Sequence, residues 1–324
     1  MYLFIEQGNI LNTQVENRSH VIGYVLAIVG AFSFSSYILS NKFAYKQITV
    51  NSITYIATFL LTAGIIALFE LIFSGEIKVF KEFFKKDTSR NPFPYWFLIL
   101  NGFASSIGYV LVAFGQQHTS AANASLITAA NIIPTAAFGW LLSKTKISLT
   151  QFFSLLFVLA GLYVAIVGFD LVLFKSGDLI IAVGSIIFGF TNSFAKKIMA
   201  RFSPRLVSTF RLMTGGLGGL LVLIAYRGEN YFDINYLKFP IVSGICLYLS
   251  VKLIMIAMSH IDANVAVIIV QLHILISPIV AVSLLSEKYR IETLIGSIIM
   301  LSSVILFAFE NRKTLFKLGA DPTT

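Results

Sequence analysis

One cysteine, Cys246, is all that 324 residues contain. No intrachain disulfide and no cysteine-built zinc cluster can form from it. It lies in an apolar stretch and reads as a small buried apolar side chain. Charge is scarce as well: 12% of residues are Asp, Glu, Lys or Arg, against about 25% in a soluble domain. Acids are the rarer sign, 15 against 24 basic residues. Almost none of the acids falls in an apolar stretch, and no His-Glu-x-x-His pattern occurs. An intramembrane enzyme would lack its metal ligands and its general base. No phosphate-binding P-loop occurs either, so the chain does not itself hydrolyse ATP. The first twenty residues lack the basic start, apolar centre and small-residue cleavage site of a signal peptide. Residues 1–20 read instead as an N-terminal cytoplasmic tail, and 310–324 as a C-terminal one.

What the chain has in excess is apolar surface: 57% of it is hydrophobic. Such surface needs lipid as its solvent, and spanning helices need roughly 20 apolar residues each. Ten segments qualify: Val21–Ser40, Ile53–Phe73, Tyr95–Phe114, Ala121–Leu142, Leu149–Gly168, Leu179–Ala195, Leu206–Tyr226, Phe239–Met258, Val265–Leu285 and Ile291–Phe309. Within lipid each must satisfy its own backbone, and the runs are too long and continuous for barrel strands. The expected fold is an all-α polytopic membrane protein of ten transmembrane helices.

Basic residues orient it. With the N-terminus in the cytoplasm, 15 of the 24 Lys and Arg fall on the inside and 7 on the outside (Lys42, Lys46, Lys175, Arg227, Lys238, Lys288, Arg290). Arg211 and Lys252 fall within spans. That bias places both termini inside, and it accounts for the net charge of +9 without nucleic acid. The largest polar loop, Ser74–Pro92, is short and basic, and reads as a linker and topology anchor.

The chain also repeats itself. "HTSAANASLITAANIIP" (118–134) returns as "HIDANVAVIIVQLHILISP" (260–278). "NGFASSIGYVLVAFGQQH" lines up with "SGICLYLSVKLIMIAMSH", and "NSITYIATFLLTAG" with "SPRLVSTFRLMTGG". The halves are 21–169 and 177–309, five spans each. An odd number of spans per half makes the second half enter from the opposite side. Inverted repeats of this kind characterise alternating-access carriers, which hold substrate near the midplane between halves.

The segments "AFGQQHTSAANASLITAANIIPTAAFGWLLSKTKIS" and "AMSHIDANVAVIIVQLHILISPIVAVSLLSEKYRIE" carry a resemblance to the drug/metabolite transporter superfamily, and within it to the EamA-type family of paired five-helix repeats. The resemblance covers nearly the whole chain from Val21. It implies secondary transport of small metabolites, commonly export and often of amino acids or related compounds. One departure stands out: the Leu-x-Glu ending gives Glu287 in the second half, where the first half has Lys144.

Polar residues at membrane depth are the candidate site, because they are costly unless paired, packed against protein or facing a water-filled cavity. Lys252, with Tyr248 one turn earlier, can hold a substrate carboxylate or phosphate, neutralise a partner acid, or snorkel to the cytoplasmic edge. Gln271 and His273 precede Pro278; His273 can relay a proton or pack as a hydrogen-bonded ring. Asn123 and Asn131 in the fourth span can edge a cavity or tie helices together. Asn101, Ser105 and Tyr109 form a polar stripe on the third span, which Asn192, Ser33 and Tyr37 would extend. Arg211 and Glu70 read as interfacial anchors or partners of loop charges, and the glycines of "TGGLGGLL" as close-packing positions. Pro134 and Pro278 each remove a backbone donor mid-span, so the fourth and ninth helices are expected to kink or shorten and line the cavity.

The resulting expectation is a secondary transporter for a small polar or zwitterionic metabolite, with a carboxylate favoured because of Lys252. It would sit as a monomer or homodimer in the cell (inner) membrane. No catalytic residue, metal or cofactor is expected, and proton coupling stays open through His273. A channel or a non-transporting receptor is the alternative.

Overall fold

A computed structural model describes residues 2–47, 51–74, 95–144, 147–167, 175–225, 234–261, 266, 269–288 and 290–319. The basic linker of residues 75–94 lies outside them. The described residues form α1 (Tyr2–Gln47), α2 (Ser52–Phe73), α3 (Trp96–Gly115) with a 3-10 turn at Gln116–His118, α4 (Ala121–Ala129) and α5 (Ile132–Ser143). After these come α6 (Leu149–Ile166), α7 (Ser176–Ile198), α8 (Pro204–Ala225), α9 (Ile234–Ala257), α10 (His273–Leu285) and α11 (Ile291–Gly319). Eight stretches are long and apolar enough to cross a membrane, and α4 and α5 together make one of them. The ninth and tenth expected spans are represented by shorter apolar helices, His273–Leu285 and Ile291–Phe307. Large apolar side chains such as Phe103, Leu217 and Leu221 are more than half exposed, as suits helices that face lipid.

Sequence chemistry sets the helix starts. Asn51 accepts from the amides of Ile53 and Thr54, Ser120 from Asn123, and Ser148 forms a capping box with Gln151.

The packing follows the repeat. If each span of the first half is matched to the span five later, the pairs α1–α9 and α3–α7 are equivalent, and both are extensive contacts. The pairs α2–α8, α6–α11 and α4–α10 each join a span to its own counterpart, and all three are in contact. An axis relating the halves would generate this pattern. Glycines mark where it passes. A Cβ on Gly64 would lie 2.5 Å from the Cα of Gly216, and these two residues correspond in the repeat. Gly219 meets Ala57 at the other end of the same contact, so α2 and α8 run antiparallel. Gly161 likewise meets Gly296 and Met300, while Ala165 meets Gly296, so α6 and α11 are antiparallel too. Gly102 packs on Thr214 and its counterpart Gly244 on Thr62, the matching pair reversed. Counterpart helices that run antiparallel make the two halves inverted. Of the glycines in "TGGLGGLL", Gly215, Gly216 and Gly219 face neighbours, while Gly218 has open space beside it.

The fourth span breaks at Ala130–Asn131, where Asn131 N–H donates to the Thr128 carbonyl (3.2 Å). The ninth tightens similarly, Leu275 N–H donating to Leu272 (3.0 Å). Each donor lies three residues before its proline. Pro134 is the third residue of α5, where an amide has no intrahelical partner in any case, so its missing donor costs nothing. Pro278 falls inside α10, which starts at His273, so there the break precedes the proline by more than a turn.

Candidate functional site

Three polar clusters lie along the bundle. For description, the end from which α1 enters is the near end.

The first cluster joins α2, α8 and α9 close to the near end. Lys252 Nζ lies 2.8 Å from Glu70 Oε1. Tyr248 OH donates to the other oxygen, Glu70 Oε2, at 2.9 Å. Lys252 also donates to Thr209 Oγ1 at 3.1 Å. The lysine is 4% exposed and therefore does not snorkel into water. Its charge is balanced by an acid three residues from the end of α2. Of the readings open to Lys252, neutralising a partner acid is the one realised in this conformation, and Glu70, expected as an interfacial anchor or partner of loop charges, is that acid in a closed ion pair. In low dielectric, two such charges attract far more strongly than in water, which favours the pair over two separate ions.

The second cluster surrounds Arg211 on α8. It is not an interfacial anchor but is buried, 4% exposed. Its Nε donates to Ser105 Oγ (2.6 Å) on α3, and Nη2 to Thr191 Oγ1 (2.8 Å) and Asn192 Oδ1 (3.0 Å) on α7. Asn101, from the same stripe as Ser105, donates to the Thr191 carbonyl at 2.7 Å. The planar guanidinium thus fastens three helices through neutral oxygens. Tyr109, the third member of the stripe, packs against Phe188 with ring centroids 4.8 Å apart and the ring planes tilted by 58°. The repeat position corresponding to Arg211 is Phe59, which packs among Tyr37 and Tyr55 instead. The cluster joins the two halves, and its arginine has no counterpart at the equivalent position of the first half.

The third cluster lies at the broken helices. His273 Nδ1 shares a 2.9 Å hydrogen bond with Ser125 Oγ of α4, and its ring meets Phe34 edge-on at 4.9 Å. Phe34 in turn neighbours Tyr37, which is fully buried. Gln271 is buried at the turn before α10, and among the described residues its Oε1 has no hydrogen-bond partner. Asn131 is partly buried at the α4–α5 break, and its carbonyl accepts from Thr135 Oγ1.

A cavity of about 560 Å³ opens at the far end, within the size range of about 300–1,000 Å³ usual for small-molecule sites. Five cations border it: Lys42, Lys46, Lys175, Lys288 and Arg290. Asp178 and Glu287 are its acids. Of the residues predicted to line a cavity, Asn123 is the one on its wall. Tyr37, Tyr109, Lys252, Gln271 and His273 are instead buried in helix contacts, and Asn131, Asn192 and Tyr248 partly so. In this conformation, therefore, the predicted site is closed around itself, and the open volume lies beyond it.

Glu287 has a defined use. Its Oε1 accepts from the Ala121 N–H at 2.8 Å and Oε2 from Ala122 at 3.5 Å, capping α4 across the two halves. Lysines cap the opposite termini. Lys46 donates to the Leu285 carbonyl at the end of α10, and Lys197 to the Leu142 carbonyl near the end of α5 (2.9 Å). Leu142 and Leu285 are equivalent in the repeat, so each half holds down the broken helix of the other, one at each end of the bundle.

Sequence reasoning missed Glu70, Thr209 and Thr191 as site partners, and the vestibule cations as a group. The usable signal was scarcity: with so few acids near the spans, an intramembrane lysine and a span-borne glutamate are natural partners. What was missing was the knowledge that α2 meets α9.

No protein of curated function matches this chain. A solved crystal structure superposes with a TM-score of 0.60 at 13% identity, covering 93% of this chain and 99% of that one, which shows a shared fold and no more. The EamA-like transporter family model matches residues 21–167 and again 175–309. Two copies of a transporter repeat, filling nearly the whole of a chain whose helices are built for lipid, make this a multi-pass integral membrane protein belonging to the EamA-like transporter family.

Proposed function

We propose that the chain is a secondary transporter that moves a small polar or zwitterionic metabolite, an amino acid or related carboxylate-bearing compound being favoured, by alternating access. One observation carries this reading. The halves are inverted and pair counterpart to counterpart, while the bundle is open at the far end and tied shut near the other by Glu70–Lys252–Tyr248 and the Arg211 cluster. Two inverted halves can exchange conformations, and then the opening moves to the other end. Both termini lie in the cytoplasm on this reading, so the far end faces outward. Arg211, whose bonds among the described residues go to neutral groups, is on this reading the cation at membrane depth that meets a solute carboxylate. The bonding of His273 to Ser125 favours a packing role over a proton relay.

The test uses the single cysteine. In a Cys246→Ser background, one cysteine is placed at Asn123 on the vestibule wall, or at Thr209 beside the ion pair. Labelling by a membrane-impermeant thiol reagent is followed from each face. Alternating access predicts that Glu70→Gln, which loosens the near end, raises labelling at 209 and lowers it at 123. Labelling that rises or falls together at both positions would sink the mechanism and favour a channel. Orientation is read from the same experiment, since 123 should label from outside the cell.

A further inference from the structure

Seven Lys and Arg were expected at the far end, the side that basic residues usually avoid. Five of them converge on one cavity rather than spreading over the rim. Its two acids are already engaged. Glu287 is bound to the amides of Ala121 and Ala122. Asp178 accepts from Thr119 Oγ1, from the Lys175 N–H at 3.0 Å and from Asn123 Nδ2 at 3.5 Å. Three of the cations are directed to backbone carbonyls: Lys42 to Gln116 (3.0 Å), Lys46 to Leu285, and Arg290 to Ile166 (3.1 Å). Lys175 and Lys288 are exposed, and among the described residues neither is ion-paired to a carboxylate. The cavity therefore holds more positive than negative charge, with two exposed ammonium groups on its border and polar walls from Gln117, Ser120 and Asn123.

We propose that this vestibule is an anion-binding subsite, in which Lys175 and Lys288 hold the carboxylate or phosphate of the solute before it moves inward. Like charges gathered in a low-dielectric cleft focus their field and raise the local concentration of the opposite sign. The proposal rests on the transport reading above and narrows it to solutes that carry an anionic group. Neutral solutes and cations are disfavoured in this vestibule.

The test is binding by the full-length protein purified in detergent. Succinate and glycerol 3-phosphate are titrated by calorimetry and thermal shift, with glycerol and choline as neutral and cationic comparators. The anions should bind and the comparators should not. The double variant Lys175→Gln/Lys288→Gln should weaken anion binding about tenfold, as expected for the loss of two exposed charge contacts. Lys175→Arg/Lys288→Arg should retain it. Both lysines are exposed, and an unchanged melting temperature without ligand shows that each variant folds. Failure of both anions to bind, equal binding by glycerol, or undiminished binding in the glutamine variant would overturn the proposal. Nanodiscs of phosphatidylcholine, with and without phosphatidylglycerol, separate the source of the anion. If phosphatidylglycerol alone occupies the lysines and displaces succinate completely, the site is for a lipid headgroup and the solute assignment fails. Proteoliposome flux distinguishes the two levels of the reading. Flux of an anion that is untouched by the glutamine variant refutes the vestibule alone; anion binding lost in the variant, with flux absent throughout, refutes transport while the binding site stands.

Discussion

Lys252 and Glu70 form an ion pair of 2.8 Å between two helices that the sequence separates by most of the chain. Tyr248 and Thr209 complete its hydrogen bonding, one on each partner. Removing one charge from a pair is a different perturbation from removing both, because a lone buried ion keeps its desolvation cost without its attraction.

Glu70→Gln should therefore lower stability by about 1–3 kcal/mol. This is less than the 3–5 kcal/mol of a fully buried pair, since the Glu70 side chain is 30% exposed. Lys252→Met in the same chain should recover much of the loss. Thermal melting of the two single variants and the double variant closes the cycle. A double variant no better than the sum of the singles would mean that the pair does not form.

Arg211→Lys keeps the charge but cannot reproduce the fork that reaches Ser105, Thr191 and Asn192 together. A loss of about 1–3 kcal/mol is expected from the unmet hydroxyl and amide partners. Transport should fall with it, and Phe59→Leu at the equivalent position of the other half should leave solute selectivity unchanged. Equal changes in selectivity from both positions would contradict an asymmetric site.

Gly64 and Gly216 touch across the axis that relates the halves. Gly64→Ala puts a methyl group against backbone, which cannot swing aside, and should cost about 1–3 kcal/mol. Gly218→Ala is the control, because its added methyl meets nothing within 4 Å. The two melting temperatures should differ clearly, and equal values would place the α2–α8 contact elsewhere.

Lys46 and Lys197 cap equivalent carbonyls at opposite ends of the bundle. Each cap is worth about 0.3–1 kcal/mol as a cation at a helix C-terminus. Lys46→Met should free the far end and Lys197→Met the near end, so the two variants should bias accessibility in opposite directions. Thiol labelling at positions 123 and 209 reads this out. A shift in the same direction from both would show that they act as plain anchors.

Much of the fold was legible in the linear sequence. Apolar runs near membrane length mark the spans, and the echo of 118–134 at 260–278 marks two halves. Both are local properties, carried by hydropathy and order along the chain. The stripe Asn101–Ser105–Tyr109 was legible too, since helical spacing alone puts its members on one face. What it faces was not: Ser105 meets Arg211, while Tyr109 meets Phe188.

The sequence by itself determined that this chain lives in lipid, that it folds as helices and that it is built twice. Each of those follows from the backbone's need for partners in an apolar solvent and from a pattern repeated along one dimension. Only the tertiary structure decided which charges cancel. Lys252 looked available and is neutralised by Glu70, whereas Arg211 looked peripheral and is buried among neutral partners. Five cations scattered over separate loops and helix ends came to border one cavity. Coulomb interactions depend on distance in space, and inverted packing sets those distances between helices that lie far apart in the chain.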